Sequence, residues 1–411
     1  MPHPTPAGGS PAGIERLPLR LTITFGLMVI VAFGSWFYGF GVLIEPIGAD
    51  TGWAESTLST AYGAGLFAVG LGAVLAGRVI DRFGPRPVFA SCAVGAFTGT
   101  LATVQAGSPA LFTVAAVGTQ CFIGVAGYYT AVHAAIARLV PADRTRAITV
   151  NTLWGAFASP VFLPLMAWLS LTWGWRGALV ISGTAVALVF GLGAVLSPAR
   201  TAAGDRHRGP GFFAGLAWAG RNRTTRRLLV VGMCGGVASS VLFLYQVPAM
   251  VSAGLGLATA SALAGLRGLF QLLGRLPLPW LVRRVGARTV FRISLAGVGL
   301  SALLLLVSGN IALAITFAVL AGAAVGAHST LESIYTAEIV PVQVIGMILG
   351  AYSMIRGIGQ ALGPTGAGLL NDATGTRAAA LAVIAVVAVA GAILVPAKPA
   401  GQVSVPTPTG R

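Results

Sequence analysis

The sequence predicts an all-α polytopic membrane protein of twelve spanning helices, built as two six-helix halves related by pseudo-symmetry. Three observations predict it. The first is composition: 56% of the 411 residues are hydrophobic and only 9% are charged, whereas soluble domains carry about a quarter charged residues. The second is the placement of the arginines, which cluster in alternate short loops. The third is a repeat of loop and helix features about 200 residues apart.

A membrane-spanning helix needs about 20 apolar residues to cross a ~30 Å hydrocarbon layer. Apolar runs of that length predict helices at 21–43, 57–79, 88–106, 109–134, 147–170 and 176–196. A second set is predicted at 228–252, 256–281, 289–308, 311–336, 346–370 and 376–396. The domain reading follows: a Pro/Gly-rich tail at 1–20, a first bundle at 21–196, a polar middle loop at 197–226, a second bundle at 227–396 and a tail at 397–411. Arg16 and Arg20 precede an apolar run that could imitate a signal peptide. That run continues through Val42 without a small-residue cleavage site and reads as a retained helix.

Arg78, Arg82 and Arg86 follow helix 2, and Arg138, Arg144 and Arg146 follow helix 4. The middle loop holds Arg206, Arg208, Arg221, Arg223, Arg226 and Arg227, and Arg283, Arg284, Arg288 and Arg292 follow helix 8. The opposite loops carry Glu45, Asp50, Glu55, Arg176, Asp372 and Arg377. The positive-inside rule therefore predicts cytoplasmic termini and a cytoplasmic middle loop. It also accounts for the net charge of +16 without a nucleic-acid partner. Arginine used almost to the exclusion of lysine, which occurs once at Lys398, suggests a GC-rich bacterial genome and hence an inner membrane. Cys92, Cys121 and Cys234 lie in apolar runs without CxxC spacing, so neither a disulfide framework nor a metal site is expected. No nucleophile–base pairing, Walker loop or cofactor fingerprint is present, so the sequence does not read as an enzyme and no cofactor is expected.

The halves echo each other: Asp81 through Phe89 matches Arg283 through Phe291, Val140-Pro141 returns as Val340-Pro341, and Pro164 returns as Pro364. The segment Gly77-Arg78-Val79-Ile80-Asp81-Arg82-Phe83-Gly84-Pro85-Arg86 resembles the signature loop between helices 2 and 3 of the major facilitator superfamily. Gly52-Trp53, Gly274-Arg275 and Arg356-Gly357 through Gly363-Pro364 resemble, more narrowly, its monocarboxylate transporter and oxalate–formate antiporter branch. The resemblance implies a secondary transporter for a small organic acid, working by alternating access around a site between the halves. It implies that Arg275 in helix 8 receives a carboxylate and that Arg356 stands where oxalate-type members place a cation. It also implies that Asp81, Arg82, Gly84 and Arg86 act in gating, the aspartate meeting a helix N-terminus when the opposite face is open. Two departures bear on coupling: Gln271 stands where proton-coupled members have an aspartate, and helix 1 lacks their lysine.

The residues themselves supply an independent argument. Ionisable side chains inside a span cost roughly 2.5–3.5 kcal/mol on insertion scales and mark function. Those candidates are Arg267, Arg275, Arg356, His328 and Glu332. Arg267, Gln271 and Arg275 fall on one face of helix 8, the two arginines about 12 Å apart along it. Three arginines against one glutamate leave two positive charges to be answered, by an anion or by water and snorkelling. A mono- or dicarboxylate is the natural cargo. His328, Glu332 and Tyr335 share a face of helix 10; His328 with Glu332 could carry a coupled proton, bind substrate or brace packing. Tyr128 and Tyr129 lie near the midplane of helix 4, as substrate contacts or packing residues, and Tyr128 corresponds to His328 at an offset of 200. Trp36 and Tyr38 read as belt or gate residues near the outer leaflet, His133 as structural, and the Gly and Pro positions of helices 5 and 11 as bends at the gates. A monomer is expected. The alternatives are an exporter of drugs or amphipathic compounds and a transporter-shaped membrane sensor.

Overall fold

A computed structural model describes residues 16–198, 222–340 and 345–397. The tail readings up to residue 15 and from Lys398 onward lie outside the described residues, as do Arg206, Arg208, Arg221 and Pro341. Among the described residues nine helices are long and apolar enough to cross a membrane. One of these, Arg144–Leu196, is two helices joined where Gly174 turns to φ 69°, ψ 172°. With Ile345–Thr374 and Ala378–Leu394 the long helices number twelve.

They run α1 Leu19–Thr51, α2 Glu55–Phe83, α3 Arg86–Val104, α4 Pro109–Leu139, α5 over 144–173 and α6 over 175–196. The second half comprises α7 Arg223–Ser252, α8 Leu257–Arg275, α9 Ala287–Leu305, α10 Ile311–Ile339, α11 Ile345–Thr374 and α12 Ala378–Leu394. A short helix, Leu278–Val285, follows α8. Leu71, Val74, Val94, Val114, Leu188, Leu300, Val386 and Ile393 are exposed on the outside of the bundle. Water would not tolerate so large an apolar surface, and lipid requires it.

The duplication is written in the backbone. Glycines with left-handed φ recur in pairs about 200 residues apart: Gly52 and Gly254, Gly84 and Gly286, Gly174 and Gly375. In the signature-loop pair, Gly84 has φ 83° and Gly286 φ 82°, a region that costs any residue with a Cβ.

Several helices depart from the sequence expectation, α8 among them, which ends at Arg275 with a separate short helix after it. α1 continues to Thr51, past the predicted end at 43, with Pro46 inside it and a π-helical stretch at Phe33–Tyr38. α4 is broken: Tyr128 has ψ 51°, and Tyr129 takes φ 70°, the only left-handed φ outside glycine among the described residues. Helical carbonyls and amides released there bond locally, Thr130 N–H to Tyr128 O at 2.9 Å and His133 N–H to Tyr129 O at 2.7 Å. The backbone penalty, of order 1–3 kcal/mol, is characteristic of functional sites. Trp36, expected as a belt or gate residue, is fully buried and stacks on Phe40 at 5.3 Å, which excludes the belt. α7 begins at Arg223, so Arg223, Arg226 and Arg227 of the expected middle loop are helical.

The halves meet through α2 against α11, α5 against α8, and α1 against α7. A Cβ on Gly63 of α2 would lie 2.2 Å from the Ala361 carbonyl oxygen of α11, so only glycine permits this approach. Two turns further along, Gly70 has open space around it and lines a cavity. Gly63→Val is therefore expected to destabilise by about 1–3 kcal/mol, because backbone must move to admit it. Gly70→Ala should leave stability unchanged. Thermal unfolding in detergent separates the two.

Candidate functional site

Among the described residues, helix direction places the arginine-rich segments at one end of the molecule and the acidic loops at the other. At the acidic end the halves are latched. Arg377, just before α12, contacts Glu45 of α1 through Nη1 and Glu55 of α2 through Nη2, each at 2.6 Å. Its Nη1 also donates to the Pro248 carbonyl at 3.2 Å and to Ser252, both in α7. Burial alone would lower the Arg377 guanidinium, but the hydrogen bonds and charges of Glu55 and Glu45 outweigh it and hold it above its ordinary value. The first amides of α2 have no cap from their own segment. Instead, Asp372 of α11 accepts from the N–H groups of Glu55 and Ser56, each at 3.1 Å. Asn371 donates to Glu55 Oε1 at 2.7 Å, and Ser59 meets the Tyr245 hydroxyl at 2.6 Å. Asp50 and Arg176 pair separately within the first half at 2.5 Å. In the sequence these residues carry only a topological signal; that four of them, Glu45, Glu55, Asp372 and Arg377, form a lock depends on tertiary contacts.

Below the latch, a cavity of about 400 Å³ lies between the halves. It extends between α2 and α11 toward the arginine-rich end, past Gly70, Ala73, Ser353 and Gly357. One wall is aromatic: Phe33, Phe37 and Tyr38 from the π-helical stretch of α1, Tyr128 and Tyr129 from the break in α4, and Phe243 of α7. Tyr128 stacks on Phe33 at 4.6 Å, and its buried hydroxyl makes no well-formed hydrogen bond among the described residues. The facing wall is polar, with Gln271 and Arg275 of α8, His328 and Ser329 of α10, and Arg356 and Gln360 of α11. A groove of about 520 Å³ between α9 and α12 is lined only by Ala, Gly, Leu, Val and Ile and has nothing with which to hold a polar ligand.

The three intramembrane arginines have different surroundings. Arg356 Nε lies 2.9 Å from Glu332 Oε1, and His328 Nε2 lies 3.1 Å from the same oxygen. Neither N–H is aimed at the oxygen well enough to be a hydrogen bond, so the contacts are of charge and proximity. Among the described residues no carboxylate lies beside Arg275: Nη2 reaches Gln271 Oε1 and Ser329 Oγ, each at a long 3.4 Å, and Nε is unpartnered. Arg267 is fully buried and does not line the cavity. The shared helix face expected for Arg267, Gln271 and Arg275 is thus divided, because the rings of Tyr38 and Phe243 come between Arg267 and the open space.

Other expected residues separate as well. Tyr335 leaves the site, donating its hydroxyl to the Pro396 carbonyl. Tyr129 lines the cavity with its ring while its hydroxyl bonds the Thr152 carbonyl at 3.3 Å. His133 stacks on Tyr129 at 5.0 Å outside the lining. With the acidic end closed, Asp81 of the signature loop pairs with Arg138 of its own half at 2.6 Å, and the helix N-terminus contact expected of it belongs to the oppositely open state. Arg82 lies over the Phe83 ring at 5.1 Å, and Arg86 is exposed at the start of α3. The aspartate-to-helix-terminus contact exists at the opposite end, made by Asp372. Phe33, Phe37, Phe243, Ser329 and Gln360 join the lining without any signal that distinguishes them from other span residues.

The Major Facilitator Superfamily profile matches residues 24–266 and, again, 228–410. The chain belongs to the major facilitator superfamily. It is a multi-pass membrane transporter rather than an enzyme, and such a transporter has a small-molecule substrate. Curated relatives include monocarboxylate transporter 13 of Bos taurus, 25% identical over 376 residues covering 90% of this chain and 84% of that one. The Rattus norvegicus protein of the same name is 24% identical over 371 residues, with the same coverage. These relatives agree with the branch resemblance read from the sequence. Among solved structures, the nucleoside transporter NupG superposes with a TM-score of 0.75 at 16% identity, covering 91% of this chain and 97% of that one. A bacterial homologue of the human lysosomal transporter Spinster, in an inward-facing and occupied conformation, gives 0.68 at 17% identity, with 92% and 93% covered. A peptide transporter in complex with sulfate gives 0.71 at 12% identity, with 93% and 95% covered. These similarities show the major facilitator fold.

Breaking the latch has a measurable consequence. Arg377→Gln removes the partner of two glutamates in a part-buried network, Glu45 being 40% exposed, so the cost falls below the ~3–5 kcal/mol of a fully buried pair. Leu58, 1% exposed beneath the latch, reports on it when replaced by cysteine, with Cys92, Cys121 and Cys234 replaced by alanine. Maleimide labelling of Leu58→Cys is expected to accelerate at least about tenfold in the Arg377→Gln background, as an equilibrium shift of ~1.4 kcal/mol would produce.

Proposed function

We propose that this transporter moves a small organic carboxylate across a bacterial inner membrane by alternating access, with both termini in the cytoplasm. The observation that carries the reading is Arg275, a cavity-lining guanidinium with no carboxylate partner, in a fold whose other cavity-lining arginine is answered by Glu332. A guanidinium away from bulk water attracts a carboxylate strongly and in bidentate geometry. One unanswered charge in the cavity favours a single carboxylate over two. Gln271, Ser329 and His328 stand beside it as hydrogen-bonding groups, and the aromatic wall suits an apolar or planar body on the acid. Relatives named monocarboxylate transporters support the same cargo class. The positive-inside rule assigns the arginine-rich end to the cytoplasm, so the latched face is periplasmic and the cavity opens inward.

His328, Glu332 and Arg356 form the proposed coupling element. A proton taken by Glu332 would cancel the charge that Arg356 now faces and free that arginine for substrate. This route does not require the aspartate replaced by Gln271. In proteoliposomes, Glu332→Gln is expected to lose stimulation by an imposed pH gradient while retaining exchange of substrate for substrate. Equal loss of both activities would instead assign Glu332 to structure.

The cargo is tested with purified protein and a panel of benzoate, phenylacetate, pyruvate, lactate, formate and oxalate. A ligand that binds only the folded state raises the melting temperature by mass action. At least one monocarboxylate should do so, and Arg275→Met should weaken its binding at least about tenfold, the effect of ~1.4 kcal/mol. A second reading, export of amphipathic compounds, takes support from the same aromatic wall. No response to any acid, together with efflux of lipophilic cations from intact cells, would establish it instead.

A further inference from the structure

We infer that Arg267 is a second anion station, the one a carboxylate meets when the transporter opens at its acidic end. The inference rests on the carboxylate reading of the site and adds a residue that the cavity does not contain.

Arg267 is 0% exposed, and its Nε donates to Gln246 Oε1 at 2.8 Å. Its Nη1 and Nη2 have no hydrogen-bond partner among the described residues. Two aromatic faces cover it, Phe243 at 4.5 Å and Tyr38 at 5.4 Å from the guanidinium carbon to the ring centroid. Cation–π contact offsets part of the desolvation of a guanidinium but leaves its in-plane donors unsatisfied. A buried arginine with one neutral hydrogen-bond partner is an expensive arrangement. Packing alone would be better served by methionine or leucine. The charge therefore has a use in a conformation other than this one.

Geometry says which conformation. Arg267 lies eight residues before Arg275 on α8, about 12 Å nearer the acidic end. It lies between the cavity and the latch: Gln246, which it bonds, immediately follows Tyr245, and Tyr245 bonds Ser59 of the first half. Tyr38 and Phe243 both line the cavity, so the rings covering Arg267 also form the cavity's roof. They come from opposite halves, α1 and α7. Rocking that separates α1 from α7 at the acidic end parts this pair and exposes Nη1 and Nη2 to whatever enters there. Tyr38 belongs to the π-helical stretch, whose irregular backbone lets a ring shift without disturbing a regular helix. An anion would bind Arg267 first and pass to Arg275 along the same face of α8 as the roof closes behind it. Each arginine would thus serve one side of the membrane.

The test uses full-length protein and two variants, Arg267→Met and Arg267→Lys, with radiolabelled benzoate and pyruvate as probes. Arg267→Met removes an unanswered buried charge and should melt at or above the wild-type temperature. It should bind probe within about twofold of wild type, because the inward-facing site is intact. Counterflow in proteoliposomes should fall at least about tenfold. In an Arg377→Gln background, where the acidic end is unlatched, the Arg267→Met change should weaken probe binding at least about tenfold, whereas Arg267→Lys should weaken it less. Wild-type counterflow in Arg267→Met overturns the second station, as does failure of that variant to fold, which would make the arginine structural. So does an equal loss of binding in the latched and unlatched backgrounds, which would merge Arg267 with the Arg275 site. If wild-type protein binds neither these probes nor any other acid of the panel, the carboxylate reading falls and the second station with it. If Arg275→Met loses binding and Arg267→Met keeps its transport, the reading stands and the second station alone falls.

Discussion

A guanidinium in the hydrocarbon layer must find its counter-charge within the protein, and α8, α10 and α11 arrange three of them in three different ways. Arg356 is answered by Glu332, Arg275 by two weak neutral contacts, and Arg267 by aromatic faces and a single amide. Surrounding structure follows from those differences. The polar wall is polar because it must solvate Arg275 and Arg356. The roof is aromatic where Phe243 and Tyr38 cover the buried guanidinium of Arg267. Glu332 and His328 sit deep in α10 because a lone Arg356 would not be tolerated there. Lipid supplies no alternative for any of them.

The second organising element is the contrast between the two ends. At the acidic end charged residues close the molecule, tying α1 and α2 to α7, α11 and the start of α12 through Arg377, Glu45, Glu55 and Asp372. Below it, glycine takes over: Gly63 lets α2 lie directly against the α11 backbone at Ala361. Beyond that point the two helices border open space. Ion pairs at a rim and small residues at a pivot suit a movement that separates one end while conserving contact in the middle.

Much of the fold is legible in the sequence because lipid enforces it. Twenty apolar residues between arginine clusters leave a chain few options other than to span. The paired loops around Gly84 and Gly286 announce the duplication without any structure. The site is legible to a lesser degree. Arg275, Arg356, His328 and Glu332 stand out because charge in a span is rare, and helical spacing places His328 beside Glu332. Spacing also groups Arg267 with Arg275, but it is blind to the rings that α1 and α7 interpose. Nor does periodicity reveal that α4 breaks at Tyr128 and Tyr129. No glycine or proline stands at Tyr129, whose left-handed backbone is held by the surrounding packing. The latch was hidden for a different reason: Glu55 and Arg377 are more than 300 residues apart, and only the closed bundle brings them together.

The cap on α2 has one more consequence. Its first amides are satisfied by Asp372, a residue of the opposite half. In the proposed alternating-access cycle, parting of the acidic end would pass those amides from a carboxylate to water and leave the first turn of α2 without its cap. In the proposed cycle the start of α2 would be held in only one of the two facing states. Hydrogen exchange at Glu55 and Ser56 would thus count the fraction of time the transporter spends facing each way, with no substrate, label or membrane potential needed to read it.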